Sequence, residues 1–153
     1  MNALASAGGV WGNSILWLPI FAGVIVQAFK LLAFWRRHRR IDFRILVQTG
    51  GMPSSHSAVV TALATAVGIE EGTGSALFAM ACILAAVVMY DAAGVRRAAG
   101  KQAAVLNRIL EDMYQGQPVA EERLRELLGH TPFEVIVGAA VGAGIAWAWL
   151  TLF

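Results

Sequence analysis

The chain has 153 residues, of which 58% are hydrophobic and 14% charged, and its formal net charge is +2 at pH 7. Average globular proteins are about 45–50% apolar and about 25% charged. This composition excludes an ordinary water-soluble domain and predicts a single membrane domain over residues 1–153. The lone cysteine, Cys82, has no partner in the chain for a disulfide, and no signal peptide is expected because residues 1–13 lack a basic start.

Four apolar segments predict four membrane spans, over residues 14–35, 53–69, 76–93 and 132–153. The first segment is long enough to cross about 30 Å of hydrocarbon at about 1.5 Å per residue. The second is shorter and rich in alanine and threonine, which suits the interior of a bundle better than the lipid face. The predicted fold class is therefore an all-α integral membrane protein with an antiparallel bundle of four spans.

Residues 97–129 form a predicted helical insertion between spans three and four. Apolar residues recur at helical spacing between positions 99 and 113, and a second short helix fits residues 118–128, just before Gly129. These amphipathic helices are expected on the cytoplasmic face, either floating on lipid headgroups or covering the bundle as a lid.

The distribution of charge predicts the orientation. The loop at 36–52 has five arginines and one aspartate, the loop at 70–75 has two glutamates and no base, and the third loop has six bases. Loops one and three are therefore expected in the cytoplasm of a bacterium, with both termini outside the inner membrane. Because the basic run at 36–40 adjoins a hydrophobic segment, it indicates orientation rather than nucleic-acid binding.

Small residues in the last span form a GxxxG pattern at Gly138 and Gly142. Such a pattern permits close approach of two helices within a membrane. Packing inside the bundle is favoured over a dimer face, although a homodimer stays open.

The predicted topology gathers ionisable side chains from distant segments at the cytoplasmic face. They are Lys30, His56, Asp91, Arg96, Arg97, His130 and Glu134. Ionisable residues at membrane depth are costly and tend to mark function. Two histidines and several cations suit phosphate, because arginine and lysine bind its oxygens and helix N-termini supply further donors. One histidine could attack phosphorus while the other protonates the leaving oxygen, and no metal or cofactor is expected.

Structural roles compete with these functional ones. Lys30 could simply extend its ammonium to the membrane interface, and Asp91 could form an ion pair with Arg96 or Arg97. The sequence from Thr131 to Glu134 reads as a capping box, and Ser54 or Ser55 could cap span two. Capping does not explain why both positions 56 and 130 are histidines.

Three blocks of sequence resemble one known superfamily. PSSH at 53–56 resembles the PSGH motif of the type 2 phosphatidic acid phosphatases and vanadium-dependent haloperoxidases, and GHTPFEV at 129–135 is similar to the end of their SRxxxxxHxxxD motif. With YDAAGVRRAAGKQA at 90–103, the pattern looks like the divergent bacterial and plastid branch. The resemblance extends from Lys30 to nearly the end of the chain.

This resemblance implies a role for each matching residue. His130 matches the nucleophile that forms a phosphohistidine, His56 the general acid, and Glu134 the orienting acid. The residues implied as phosphate ligands are Lys30, Arg37, Arg39, Ser55, Arg96 and Arg97. Ser55 stands where the family has glycine, and His38 rather than proline follows Arg37, so that Arg39 or Arg40 could serve equally. The family's five-residue gap between arginine and histidine is here a stretch of 33 residues, 97–129.

The implied function is metal-independent hydrolysis of a lipid phosphate or diphosphate at the cytoplasmic face. Orientation disfavours a substrate found only in the outer leaflet and leaves phosphatidate, phosphatidylglycerophosphate or inner-leaflet polyprenyl phosphates. One alternative is a non-enzymatic phospholipid binder or transporter. Another is a structural membrane subunit, which predicts that His56 and His130 lie apart. Haloperoxidase activity is disfavoured because a lipid-embedded site suits halide and peroxide poorly.

Overall fold

The computed structural model describes residues 9–43, 51–113 and 129–153, apart from the side chains of residues 95–97 and 111–112. Every regular element in these ranges is helical. After a 3-10 turn at Gly9–Gly12 come α1 (Ser14–His38), α2 (Ser55–Glu70), α3 (Ala76–Tyr90), a π-helical segment (Asp91–Val95), α4 (Arg96–Met113) and α5 (Pro132–Leu152). The predicted helix at 118–128 lies outside the described residues.

Within the described residues, three helical stretches are long and apolar enough to cross a membrane. They are α1, the continuous stretch Ala76–Leu110 that contains α3, and α5. Helix α2 has 16 residues, about 24 Å at 1.5 Å per residue, which is shorter than a typical hydrocarbon core of about 30 Å. The structure thus has three candidate spans where the sequence predicts four.

Polar caps determine where the helices begin. The side chains of Asn13, Ser54, Ser75 and Thr131 each accept a hydrogen bond from a backbone N–H in the first turn of the helix that follows. Such caps satisfy donors that have no partner within the helix. Of the two serines predicted as caps of α2, Ser54 has this role and Ser55 is the first helical residue.

Helix α2 lies at the centre and packs against α1, α3 and α5. It is antiparallel to α1, since the Ser14 hydroxyl donates to Glu70 Oε1 (3.2 Å) where α1 begins and α2 ends. It is parallel to α5, because successive turns of α5 at Gly138 and Gly142 face successive turns of α2. The prediction that the small residues of this helix suit the interior is confirmed, since Ala58, Ala62 and Ala66 are all fully buried.

The close approach of α2 and α5 depends on the two glycines of the GxxxG pattern. A Cβ added at Gly138 would meet the backbone of Ser54, and one added at Gly142 would meet the backbone of Ala58. The Thr61 hydroxyl also reaches across to the carbonyl of Ala139 at 2.9 Å. The pattern therefore serves packing within the chain, as predicted.

The chain stays helical beyond the third predicted span. Helix α3 stops at Tyr90, but the chain continues without a break through the π-helical segment into α4. The predicted boundary at residue 93 lies inside the π-helical segment and stays a prediction, and residues 97–113 of the predicted insertion 97–129 belong to α4. No turn separates α3 from α4, because Asp91–Val95 is itself helical, of the π type.

Candidate active site

The start of α5 is tied to two other elements through backbone hydrogen bonds. The N–H of His130 donates to the carbonyl of Ala92 in the π-helical segment (3.0 Å), and the N–H of Ser54 donates to the carbonyl of Glu134 (3.1 Å). Gly129 has a φ of +95°, a conformation that L side chains rarely adopt, and it turns the chain into His130. The starts of α2 and α5 and the end of α3 therefore lie together.

This arrangement brings the two histidines of the predicted site together. The ring centroids of His56 and His130 lie 6.2 Å apart and the ring planes cross at 72°. His130 is only 2% exposed, whereas His56, in the first turn of α2, is half-buried. The expectation of a structural subunit, in which the two histidines lie apart, is wrong. A buried histidine beside a half-buried one is suited to act on a group that enters from the exposed side.

Lys30 contributes a buried cation from α1. Its side chain is 7% exposed, so it does not simply extend to the surface. It interacts electrostatically with the carboxylate of Glu134 at the start of α5. The antiparallel packing of α1 on α2 thus puts an ammonium and a carboxylate at the same end of the bundle as the two histidines.

Glu134 also forms part of the capping box at the start of α5. Its Oε2 accepts the N–H of Thr131 at 2.8 Å, and its own N–H donates to the Thr131 hydroxyl at 3.3 Å. The predicted capping box is therefore confirmed. Because Thr131 directly follows His130, this reciprocal pair holds the backbone that carries the buried imidazole.

The other predicted site residues lie at different depths. Asp91 begins the π-helical segment and Ser55 begins α2, and both are half-buried. Arg37 and Arg39 are exposed at the end of α1, where Arg39 forms the C-cap with a φ of 54°. Arg96 and Arg97 lie at the start of α4, but their side chains are outside the description. The structure therefore assembles Lys30, His56, His130 and Glu134, and leaves Arg37 and Arg39 on the surface.

Two features of the site were missed by the sequence analysis. Ser57 is fully buried, and its hydroxyl donates to the Ser54 hydroxyl at 3.0 Å. The signal was available, since a serine three residues after an N-cap lies on the same face of the helix. The carbonyl of Ala92 could not have been found, because a backbone acceptor leaves no trace in the residue type.

The described residues contain no group of three or more His, Cys, Asp or Glu side chains that could hold a metal ion. What the site does offer is two imidazoles, one ammonium, one carboxylate and the N-termini of α2 and α5. Imidazoles can act as nucleophile or as acid and base, while the ammonium and the helix N-termini attract anions. This combination suits transfer of an anionic group such as phosphate.

Comparisons with known proteins place the chain in a family. A family model described as the divergent PAP2 family, where PAP2 denotes type 2 phosphatidic acid phosphatase, matches residues 11–145. The chain is 42% identical over 134 residues to a protein of Bacillus subtilis (strain 168) described as uncharacterized membrane protein YuiD, with 80% of this chain and 82% of that protein covered. No solved structure matches the chain.

The family match includes both histidines, all of α1 and α2, and α5 as far as residue 145. The similarity to a membrane protein and the three apolar helices show an integral membrane protein. The chain belongs to the divergent PAP2 family, a branch of the type 2 phosphatidic acid phosphatase superfamily.

Proposed function

We propose that this protein is a membrane phosphatase that hydrolyses a lipid phosphate or diphosphate without a metal ion. The observation that carries the proposal is the pairing of His56 and His130 at a ring distance of 6.2 Å. Phosphoryl transfer demands mainly positioning and charge stabilisation. A nucleophile and a proton donor held side by side, with a buried ammonium on the neighbouring helix, meet that demand.

The proposed reaction has two steps. A neutral His130 attacks phosphorus, the bond from phosphorus to the lipid oxygen breaks, and a protonated His56 gives its proton to that oxygen. Water then attacks the phosphohistidine, and His56 accepts a proton from the water. Free phosphate leaves and His130 is regenerated. Two steps replace one difficult displacement, which is the benefit of a covalent intermediate.

In this proposal, a lysine and two helix N-termini stabilise the negative charge of the transferred phosphate. Lys30 supplies an ammonium, and the N-termini of α2 and α5 supply the positive ends of two helix dipoles. Arg37 follows Lys30 by seven residues, which puts both on one face of α1, so its long side chain can turn toward the same phosphate. Glu134 positions His130 through the backbone of Thr131.

We also propose the membrane arrangement of the site. Helix α2 crosses as a fourth, short span, shielded from lipid by α1, α3 and α5, and the histidine pair faces the cytoplasm of a bacterial cell, with both termini outside. The support is the charge distribution of the loops. Substrates in reach would then be inner-leaflet lipids such as phosphatidate, phosphatidylglycerophosphate or polyprenyl phosphates. A homodimer would have to use a surface other than Gly138 and Gly142.

A second candidate function is phospholipid binding without hydrolysis. It is favoured by one observation, the electrostatic interaction of Lys30 with Glu134. The nearby carboxylate offsets part of the attraction of Lys30 for a phosphate, so that this lysine contributes less to a transition state. It could still recognise a headgroup that displaces this carboxylate.

The test is phosphate release by purified protein from a panel of phosphatidate, phosphatidylglycerophosphate and polyprenyl phosphates in mixed micelles. We expect turnover of at least one lipid, unchanged by EDTA and inhibited by orthovanadate, which mimics the five-coordinate phosphorus of the transition state. Saturable binding of these lipids with no phosphate released from any of them would instead support the second candidate.

A further inference from the structure

Helix α4 has three distinct faces. The face turned to the protein is small and polar, with Gly100, Ala103 and Asn107 buried. Large apolar side chains occupy a second face and are exposed, from 48% for Ile109 to 72% for Met113. Lys101 and Arg108 are exposed as well and project between these two faces at the 3.6-residue period of the helix.

The position of α4 explains why such a face can exist. The 15 residues of α3 rise about 22 Å, and the five residues of the π-helical segment add to that rise. The sum approaches a hydrocarbon thickness of about 30 Å. The carbonyl of Ala92 in that segment binds the N–H of His130, so α4 begins at the level of the candidate site. This is the depth at which apolar side chains can enter lipid while cations reach headgroups.

We infer that α4 is a surface helix that seats its apolar face in the membrane and binds anionic lipid headgroups through Lys101 and Arg108. Burial among acyl chains removes the free-energy cost of exposing large apolar side chains to water. On α4 these side chains are Val105, Leu106, Ile109 and Met113. A basic edge beside an apolar face is the pattern by which helices bind anionic bilayers. This inference concerns the surface of the protein and does not depend on catalysis at His130.

Charge at the end of α1 supports the choice of an anionic surface. Arg36, Arg37, Arg39 and Arg40 are all exposed there, a few turns beyond Lys30 and hence at the same side of the bundle. Two basic surfaces from separate elements thus face the same region. Charge complementarity favours anionic lipid over a second copy of this chain, whose corresponding surface would be equally basic.

The experiment places an environment-sensitive fluorophore, NBD, on Ile109→Cys in a Cys82→Ala background. The full-length protein is reconstituted in vesicles of phosphatidylcholine, either alone or with phosphatidylglycerol. Quenching by a nitroxide on the lipid and by aqueous iodide is compared. Gly74→Cys, in the exposed turn between α2 and α3, serves as the water-accessible control.

We expect NBD at position 109 to be quenched by lipid nitroxide and protected from iodide, and more so with phosphatidylglycerol present. The ratio of membrane-bound to unbound α4 should fall about fivefold for each charge removed in Lys101→Gln and Arg108→Gln. Iodide access in both lipids would overturn the inference. Protection from both quenchers would overturn it too, because protein then covers the face. Equal quenching by lipid nitroxide in the two lipid mixtures would disprove the role of anionic headgroups.

Discussion

Replacement of His130 by glutamine is expected to lower kcat for lipid-phosphate hydrolysis by about 10³-fold or more. Glutamine keeps much of the volume and polarity of histidine but cannot form the covalent intermediate. The measurement is phosphate release from the best lipid of the panel. Binding of that lipid should persist, because Lys30 and the helix N-termini are untouched.

The chain contains a matched control in its third histidine. His38 lies exposed at the end of α1, where its ring stacks on Phe34 at 4.1 Å, and it has no place in the proposed reaction. His38→Gln is expected to retain hydrolysis. Equal rates of phosphate release for His130→Gln and wild type would show that His130 is not the nucleophile and would contradict the proposed mechanism.

The companion variant His56→Gln separates the roles of the two histidines. Loss of a general acid typically costs about 10²–10⁴-fold, but a leaving group that needs no proton should restore much of the rate. Activity of His56→Gln on an aryl phosphate such as p-nitrophenyl phosphate, relative to wild type, should therefore exceed its relative activity on lipid. His130→Gln should show no such recovery, because both substrates need the nucleophile.

The second large effect is expected from Gly142→Ala, in the interface between α2 and α5. A Cβ at this position would overlap the backbone of Ala58, and backbone cannot move aside as a flexible side chain can. Overpacking of this kind costs about 1–3 kcal/mol. Helix propensity alone favours alanine over glycine by about 1 kcal/mol. A loss of stability would therefore be due to the clash between the helices and not to a change in helix propensity.

Gly144→Ala is the control on the same helix, since a Cβ at Gly144 has no neighbour within 4 Å. Unfolding by SDS in mixed micelles, followed by circular dichroism, would give the two changes in the free energy of unfolding. We expect a clear decrease for Gly142→Ala and no decrease for Gly144→Ala. Equal stability of the two variants would show that α2 and α5 do not approach as closely as the structure has them.

Local signals in the sequence predict much of this fold. The capping box at Thr131 and Glu134 and the serine cap of α2 follow from side chains that bond to nearby backbone, so a short stretch contains all the information. The packing of Gly138 and Gly142 inside the bundle follows from their small size, which lets two helices approach closely. The two histidine motifs likewise pointed to a shared site because the topology put them at one end of the bundle.

Other features depend on partners that the sequence does not reveal. The π-helical segment at Asp91–Val95 differs from an α-helix only in its pattern of backbone hydrogen bonds, which residue types do not specify. Almost any residue at position 92 would supply the same carbonyl to the N–H of His130. The electrostatic interaction of Lys30 with Glu134 joins two helices at the opposite ends of the chain. In α4, periodicity identifies the large apolar face, but only the structure shows that the small face around Ala103 is the one turned inward.

The central claim is that His130 becomes phosphorylated during turnover. It is tested most directly by rapid acid-free denaturation of the protein during hydrolysis of a ³²P-labelled lipid phosphate, followed by peptide mapping. We expect base-stable, acid-labile label on the peptide containing His130, absent in His130→Gln and accumulating when hydrolysis of the intermediate is slow. Turnover of the lipid by wild type with label on no histidine, or on a histidine other than His130, would contradict it.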